Sequence, residues 1–336
     1  MSRRVAPPRG AVALVLALGL AAVAGCGATE ASPPDAGAVA PPDAADLTGF
    51  PPMVVPADNP TTAAGVALGR QLYYDPRLSH DGTRACASCH RQDRAFSNPT
   101  TPGVLAHINL AWSRNFLWNG RVSGTLEDAM TMEVEGFFAT DVTRLQAPDL
   151  EVLFEDAFGS PGVTTQRAAY ALAQFQRTLV SADSRFDRYA RGDLDALDDA
   201  ERRGMWVFYS ERAECFHCHA TRLFTDNEFH NIGLDAEVAG TGRGAVTGEA
   251  RDDGRFKTPT LRNVERTAPY MHDDRFATLE EVVDFYSEGP VDSPTLDTLI
   301  HLGGFGLTTE ERADLVAFLR ALTDDAFLEN PDLGPP

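Results

Sequence analysis

Two short segments of the sequence carry the same reactive side chains at the same spacing. Each segment reads Cys-x-x-Cys-His, so two thiols share one helical turn and an imidazole follows directly. The residues are Cys86, Cys89 and His90 in the first copy, and Cys215, Cys218 and His219 in the second.

Three chemistries use cysteine pairs at this spacing. The two thiols can form thioether bonds to the vinyl groups of a haem, and the adjacent histidine then ligates the iron. Four thiolates from two such pairs can hold a zinc ion, and each pair can form a disulfide. Neither zinc nor a disulfide needs the histidine that follows both pairs. The repeated pentapeptide therefore favours two covalent c-type haems.

The N-terminus indicates the compartment. MSRRVAPPRG is basic, and the apolar run AVALVLALGLAAVAG is short for a membrane span, so residues 1–25 are predicted to be a secretory signal. Small residues before Cys26 resemble the cleavage signal of bacterial lipoproteins. We therefore expect a periplasmic protein with a lipid anchor on Cys26, attached to a bacterial membrane, with the outer membrane favoured. The alternative is an ordinary signal peptide with an incidental cysteine.

Composition argues against one class of partner. The 336 residues carry a net charge of −20, and such a surface repels nucleic acid. The charge would attract a basic partner, or it only keeps the protein soluble. Residues 26–60 are rich in Ala, Pro and Asp, which predicts a flexible tether between the anchor and the folded part.

After residue 60 the sequence predicts helices, and strand-like alternation is nearly absent. Several helix starts are indicated by a capping residue followed three positions later by an acidic one. These pairs are Thr125 with Asp128, Asp198 with Glu201, Thr278 with Glu281, and Thr308 with Glu311. Loops at 91–106 and 233–257 are long and rich in Gly, Pro and Asp, which is typical of segments that wrap a cofactor. The two halves share little beyond the pentapeptide.

Longer segments resemble the bacterial di-haem cytochrome c peroxidase family, which includes the MauG-like enzymes that oxidise protein side chains. The resemblance extends over residues 60–325. It implies a mainly α fold of two cytochrome c-like domains, 61–192 and 193–330, with long loops around one covalent haem each. The segments are LGRQLYYDPRLSHDGTRACASCHRQDRAFS, FLWNGR, RTLVSADSRFDRY, CFHCHATRLFTDNEFHNIGLD and GRFKTPTLRNVERTAPYMHDDRFATLEEVVDFYSEG.

The resemblance implies different roles for the two haems. The N-terminal haem would react with peroxide, and the C-terminal haem would transfer electrons. Trp118, in FLWNGR, matches a tryptophan that lies between the haems in the family. The backbone carbonyls of Thr267 and Pro269 match positions that bind calcium between the domains, and carbonyl oxygens suit that ion.

The far ligand of the second haem separates the subfamilies. The peroxidases proper place a methionine there, and counting on from His272 brings Tyr286 to that position. A tyrosine at this place is the MauG-like pattern, and its anionic phenolate would stabilise ferric iron. Met271 is the competing ligand, because it lies in the same region. Spacing favours Tyr286.

The expected acid–base residues of the first haem are missing. In the family, a glutamine and a glutamate face the open side of this haem, and alignment places Ala129 and Ala139 at these positions. Glu133 and Glu135 lie in the same segment, and either could act as the acid–base group. A surface carboxylate is the alternative for each.

His107 lies in the loop after the first motif. In the peroxidases proper this loop supplies a histidine that caps the first iron until activation. His107 could be that removable ligand, an acid–base group on the open side, or a buried structural histidine.

These observations predict a di-haem peroxidase that reduces hydrogen peroxide with electrons from a small cytochrome c or cupredoxin. One alternative is a MauG-like oxidation of a side chain on a partner protein, which Tyr286 favours. The other is a non-enzymatic di-haem electron carrier, which the missing glutamine and glutamate keep open.

Overall fold

The predicted capping residues begin helices in the structure, a computed structural model that describes residues 47–336. Each of the four predicted capping boxes is formed, with both reciprocal hydrogen bonds. The α-helices of the described residues are α1 (Ala63–Tyr74), α2 (Leu126–Met132), α3 (Val142–Leu145), α4 (Pro148–Phe158), α5 (Thr165–Gln176), α6 (Arg185–Ala190), α7 (Asp199–Phe208), α8 (Phe216–His219), α9 (Gly244–Thr247), α10 (Leu279–Glu288), α11 (Thr309–Arg320) and α12 (Asp325–Glu329).

Between residues 47 and 336 the strands form two short antiparallel pairs. Strand β1 pairs antiparallel with β2, and β3 pairs antiparallel with β4. Their bounds are β1 (Asn115–Phe116), β2 (Val122–Ser123), β3 (Phe229–His230) and β4 (Phe256–Lys257). The predicted mainly α fold with long loops is therefore confirmed. Within the described range no helix is both long and apolar enough to cross a membrane.

Two helix pairs cross in the same way, one in each half of the chain. In the first pair, a Cβ on Gly69 of α1 would lie 2.0 Å from the carbonyl oxygen of Ala171 in α5. In the second pair, a Cβ on Gly204 of α7 would lie 1.9 Å from the carbonyl oxygen of Asp314 in α11. Only glycine permits such a close backbone approach. The two halves therefore share a structural element that their sequences do not reveal.

Two asparagines extend this correspondence. Asn109 and Asn263 both have a left-handed backbone, with φ of 55° and 56°, and each precedes a short 3₁₀ turn. The N–H of Asn109 donates to the carbonyl of Leu179, which follows α5, and that of Asn263 donates to the carbonyl of Leu322, which follows α11. Each asparagine therefore ties a loop to the end of the second crossing helix in its half.

Buried apolar side chains of the described residues form one core in each half. Examples are Leu72 and Phe175 in the first core and Phe208 and Phe318 in the second. Phe327 of α12, near the C-terminus, packs on the first core. The chain therefore returns to its N-terminal half, and the described residues belong to one compact unit. The predicted division into domains 61–192 and 193–330 stays a prediction.

The predicted signal peptide, Cys26 and most of the predicted tether lie outside the described residues. The last tether residues differ from the expectation, because they pack on the folded part. Phe50 lies against the ring of Trp112, whose indole N–H donates to the carbonyl of Pro51. The side chain of Asn59 is buried and donates to Glu127. The aromatic and amide side chains in this Pro-rich stretch supply contacts that its overall composition does not suggest.

Candidate functional site

Both Cys-x-x-Cys-His segments line one internal cavity of about 720 Å³. The first segment forms a 3₁₀ turn that begins at Cys86, and the second forms the short helix α8. The walls come from both halves of the chain, including α2, α5, α10 and α11. The fold therefore brings together two motifs that lie about 130 positions apart in the sequence.

The two motif histidines are held in the same way. The Nδ1 atom of His90 is hydrogen-bonded to the carbonyl oxygen of Phe96 at 2.8 Å, and that of His219 to the carbonyl oxygen of Phe224 at 2.9 Å. Such a bond fixes the ring and leaves Nε2 available to ligate a metal. Burial lowers the pKa of His90 to about 4 and also lowers the pKa of His219. Both imidazoles are therefore in the neutral form that binds iron.

The four motif cysteines are not paired with one another in disulfides. Burial raises the pKa of Cys86, and it raises that of Cys215 to about 12, so neither is an activated thiolate. Among the described residues, no group of potential metal ligands contains two cysteines, and Cys218 is grouped only with Asp226 and His230. This arrangement does not suit zinc held by four thiolates. It fits two covalent haems, each attached through one cysteine pair and accompanied by one oriented imidazole.

Trp118 lines the same cavity. It stands in the loop of the β1–β2 pair, after Leu117, whose backbone is left-handed with φ of 63°. The indole N–H donates to the carbonyl of Gly103 at 3.0 Å, and the backbone N–H of Lys257 donates to the Trp118 carbonyl at 2.8 Å. The first bond orients the indole, and the second ties the Trp118 backbone to β4 of the other half.

The segment with the missing acid–base residues continues α2 as a π-helix, Glu133–Phe137. Glu133 follows Ala129 by four positions, so both lie on one helix face, and both line the cavity. Burial raises the pKa of Glu133, and the nearby positive charge of Arg121 offsets only part of this effect, so the pKa stays above its ordinary value. π-helical turns of this kind are frequent at functional sites.

Glu135 and Ala139 do not line the cavity. The carboxylate of Glu135 is exposed and accepts a hydrogen bond from the Thr165 hydroxyl at 2.9 Å. Ala139 is exposed as well. The structure therefore distinguishes by position two candidate glutamates that the sequence analysis left equal. The four-residue interval between Ala129 and Glu133 is the signal that could have separated them.

Gln176, at the end of α5, was not predicted as a site residue. It is 1% exposed and lines the cavity. Its Nε2 donates to the sulfur of Met130 at 2.9 Å, and its Oε1 has no hydrogen-bond partner among residues 47–336. A buried amide oxygen without a partner is costly, which indicates a partner that the protein itself does not provide. A glutamine at the end of an otherwise apolar buried helix face is the sequence signal.

His107 stacks on His90, with ring centroids 3.5 Å apart and planes 17° apart. Its Nδ1 is hydrogen-bonded to the hydroxyl of Tyr73 at 3.1 Å. These contacts tie His107 to the first motif, and the choice among its three predicted roles stays a prediction.

Tyr286 and Met271 both line the cavity. Tyr286 lies on α10, where burial and the neighbouring thiols of Cys218 and Cys215 raise its pKa. Its hydroxyl is therefore close to the second motif. Met271 stands in a loop with a left-handed backbone, φ of 73°. The choice of Tyr286 as ligand stays a prediction.

The predicted calcium residues also border the cavity. The carbonyl oxygens of Thr267 and Pro269 accept no hydrogen bond from the described residues. Nearby, the carboxylate of Asp274 accepts a hydrogen bond from the N–H of Gly103 at 2.7 Å, which joins this loop to the one after the first motif. Carbonyl oxygens without a protein partner are the ligand type that calcium takes, and the calcium site stays a prediction.

Two cytochrome c-like halves, each with a haem-attachment motif at one shared cavity, define a di-haem c-type protein. Residues 63–195 match the family model described as "Di-haem cytochrome c peroxidase". The chain is 38% identical over 290 residues to the methylamine utilization protein MauG of Methylorubrum extorquens, with 80% of each chain covered. The chain therefore belongs to the di-haem cytochrome c peroxidase family, and it is an oxidoreductase of the peroxidase type.

Two further similarities support this assignment. The chain is 33% identical over 361 residues to the cytochrome-c peroxidase IdrP1 of Pseudomonas sp. (strain SCT), covering 92% of this chain and 91% of that one. A solved structure of a MauG-like protein associated with microbial copper homeostasis superposes with a TM-score of 0.79 at 34% identity, covering 86% of this chain and 97% of that one. Haem c is the cofactor that the family implies.

Proposed function

We propose that this protein reduces hydrogen peroxide to water at its N-terminal haem, with two electrons from a small cytochrome c or cupredoxin. The reaction consumes one peroxide, two electrons and two protons and releases two waters. The observation that carries the proposal is the position of Glu133, a half-buried carboxylate on the cavity wall. It lies one helical turn after Ala129, the residue that stands at the position of the family's glutamine. Cys86, Cys89 and His90 would hold this haem.

When bound, the N-terminal haem would supply an iron that accepts the oxidising equivalents of peroxide. Glu133 would then move the proton, taking it from the near oxygen of peroxide and delivering it to the leaving oxygen. Its raised pKa suits a group that must both accept and donate. The unpartnered oxygen of Gln176 would accept a hydrogen bond from the peroxide or from a water beside it.

The second half would supply the electrons. Cys215, Cys218 and His219 would hold the C-terminal haem, and Tyr286 on α10 would be its far ligand. Trp118 offers an indole at the wall of the shared cavity, where electrons can pass between the two sites.

Tyr286 also favours a second candidate function. An anionic phenolate ligand stabilises ferric iron and disfavours its reduction. With such a ligand, oxidising equivalents would be drawn from a side chain of a partner protein, as the MauG-like family members do. Peroxide reduction and side-chain oxidation share the peroxide step and differ in the source of electrons.

One experiment separates these functions. Holoprotein with two haems per chain, counted by pyridine haemochrome, is mixed with hydrogen peroxide and reduced cytochrome c. Oxidation of two cytochromes per peroxide supports peroxidase activity. Peroxide consumption that leaves cytochrome c reduced supports side-chain oxidation. If the holoprotein neither consumes peroxide nor changes its absorption spectrum, both proposals are wrong and an electron carrier remains.

We further propose that the mature protein is periplasmic and lipid-anchored on Cys26, and that Thr267 and Pro269 bind calcium through their carbonyl oxygens. Mass spectrometry of the mature N-terminus tests the anchor, since an unmodified or absent Cys26 would refute it. Metal analysis of holoprotein before and after chelation tests the calcium site. A chain without bound calcium would contradict it.

A further inference from the structure

Four metal-binding side chains gather beside the second haem-attachment motif. Glu211 and Glu214 stand in the turn between α7 and α8, and His217 stands inside the motif, between its two cysteines. His301 comes from the loop between α10 and α11. The ligand atoms of the first three lie within 4.8 Å of one another. None of these four residues takes part in the proposed peroxide chemistry.

The two oxygens of Glu214 face two different imidazoles. Its Oε1 lies 3.3 Å from Nε2 of His301, and its Oε2 lies 4.0 Å from Nε2 of His217. The same nitrogen of His217 is 3.6 Å from a carboxylate oxygen of Glu211. Charge-assisted hydrogen bonds are shorter, at about 2.7–2.9 Å. Ligands around a tetrahedral ion with bonds of about 2.1 Å lie about 3.4 Å apart, which is close to the separations of 3.3 and 3.6 Å and shorter than the one of 4.0 Å.

Burial in this cluster is graded from inside to outside. The side chain of Glu214 is 14% exposed, that of His217 is 30% exposed, and that of Glu211 is 76% exposed. Glu214 is therefore largely shielded from solvent, whereas His217 and Glu211 are accessible, so an ion can reach the cluster from solvent. Aromatic neighbours position both imidazoles, because the ring of His217 packs on Phe216 and the ring of His301 packs on Phe305.

We infer that Glu211, Glu214, His217 and His301 form a binding site for a late first-row divalent ion, Zn²⁺ or Cu²⁺. Two imidazoles and two carboxylates suit these ions, and the Irving–Williams order places Cu²⁺ above the others. Mg²⁺ and Ca²⁺ prefer sites made of oxygen only. The two positive charges of the ion would balance the two carboxylates. Because His217 adjoins Cys218, the ion would bind directly beside the attachment point of the second haem.

The test uses the holoprotein with both haems, treated with a chelator and then titrated with Zn²⁺ by calorimetry. We expect one site per chain whose affinity falls at least 10-fold in His301→Ala, since even residues that only support a ligand contribute about 10–100-fold. His301 lies outside the motif, so this variant should keep two haems by pyridine haemochrome. His80→Ala is the matched control, because His80 is an exposed histidine in the other half of the chain.

Electron paramagnetic resonance of added Cu²⁺ provides an independent measurement. Coupling to two imidazole nitrogens is expected in the parent protein and in His80→Ala, and coupling to one nitrogen is expected in His301→Ala. The inference is wrong if the parent binds neither ion, because the four residues are then ion pairs only. It is also wrong if His301→Ala binds as the parent does, or if Ca²⁺ competes with Zn²⁺ equally well.

Discussion

Replacing Glu133 by glutamine should impair peroxide turnover far more than the same change at Glu135. Glutamine keeps the size of the side chain and one acceptor oxygen but cannot move a proton at neutral pH. Glu133 faces the cavity, whereas the Glu135 carboxylate is exposed and bonds Thr165. The two variants therefore make the same chemical change two positions apart in one helix.

The expected magnitude follows from the setting of Glu133. A positioned acid–base group contributes about 10²–10⁴-fold to a rate. Glu133 is only half-buried, so water can replace part of its function, and we expect the lower end of this range. A 100-fold loss of kcat corresponds to about 2.7 kcal/mol of transition-state stabilisation. Glutamine still offers a hydrogen bond, so KM should change less than kcat.

The pH dependence provides a second measurement. Glu133 must be ionised to take a proton from peroxide, and burial raises its pKa above the ordinary value of 4.5. The parent rate should therefore fall as the pH drops through that raised value, and this acidic limb should be absent from Glu133→Gln. Turnover is measured as oxidation of reduced cytochrome c by holoproteins matched for haem content. The reasoning fails if Glu133→Gln keeps a third of the parent kcat, or if Glu135→Gln loses as much.

Four further variants test other parts of the structure. Gln176→Leu removes the unpartnered acceptor oxygen, so the KM for hydrogen peroxide should rise about 10-fold in steady-state turnover; an unchanged KM would contradict its role. Tyr286→Phe should alter the ferric absorption spectrum, and Met271→Leu should not; the reverse pattern would identify Met271 as the ligand. Asp187→Asn should lower the free energy of unfolding by about 3–5 kcal/mol in urea titrations, because it leaves the buried guanidinium of Arg262 without its charge partner. Burial alone would raise the pKa of Asp187, but the hydrogen bonds from Arg262 outweigh burial and lower it. The ion pair therefore stabilises the fold above about pH 4, and this stabilisation is lost as the pH falls through the lowered pKa of the folded state. Equal free energies of unfolding for parent and variant at pH 6 would refute this account.

Local signals in the sequence predicted the elements well, and they did not predict how the elements meet. A capping box is encoded by residues three positions apart, so the helix starts at Thr278 and Thr308 could be read directly. The π-helical continuation of α2 leaves no such mark, because it depends on packing against other elements. The sequence therefore left Glu133 and Glu135 equal, and only the three-dimensional structure places one of them in the cavity.

The internal correspondence escaped the sequence for a different reason. Its markers are backbone features, namely a close helix crossing at Gly69 and at Gly204 and left-handed asparagines at 109 and 263. Each marker is one residue within otherwise different surroundings, so the two halves look unrelated beyond the shared pentapeptide. The physical requirement is the same in both halves, since a helix pair must approach closely and a loop must be tied to its end.

The halves differ where their corresponding residues face the cavity. Gln176 and Leu319 correspond, because each follows the residue of its helix that meets the crossing glycine, Ala171 or Asp314, at the same interval. His107 and Leu261 correspond in the same way, since each precedes the left-handed asparagine of its half at the same interval. All four side chains line the cavity. The first half thus places polar groups where the second places leucines, and its π-helix adds Glu133. A small polar ligand such as peroxide needs hydrogen-bond partners and a proton carrier, whereas a site that only passes electrons needs neither. The two motifs can therefore fasten the same cofactor while the residues around them restrict peroxide chemistry to the first.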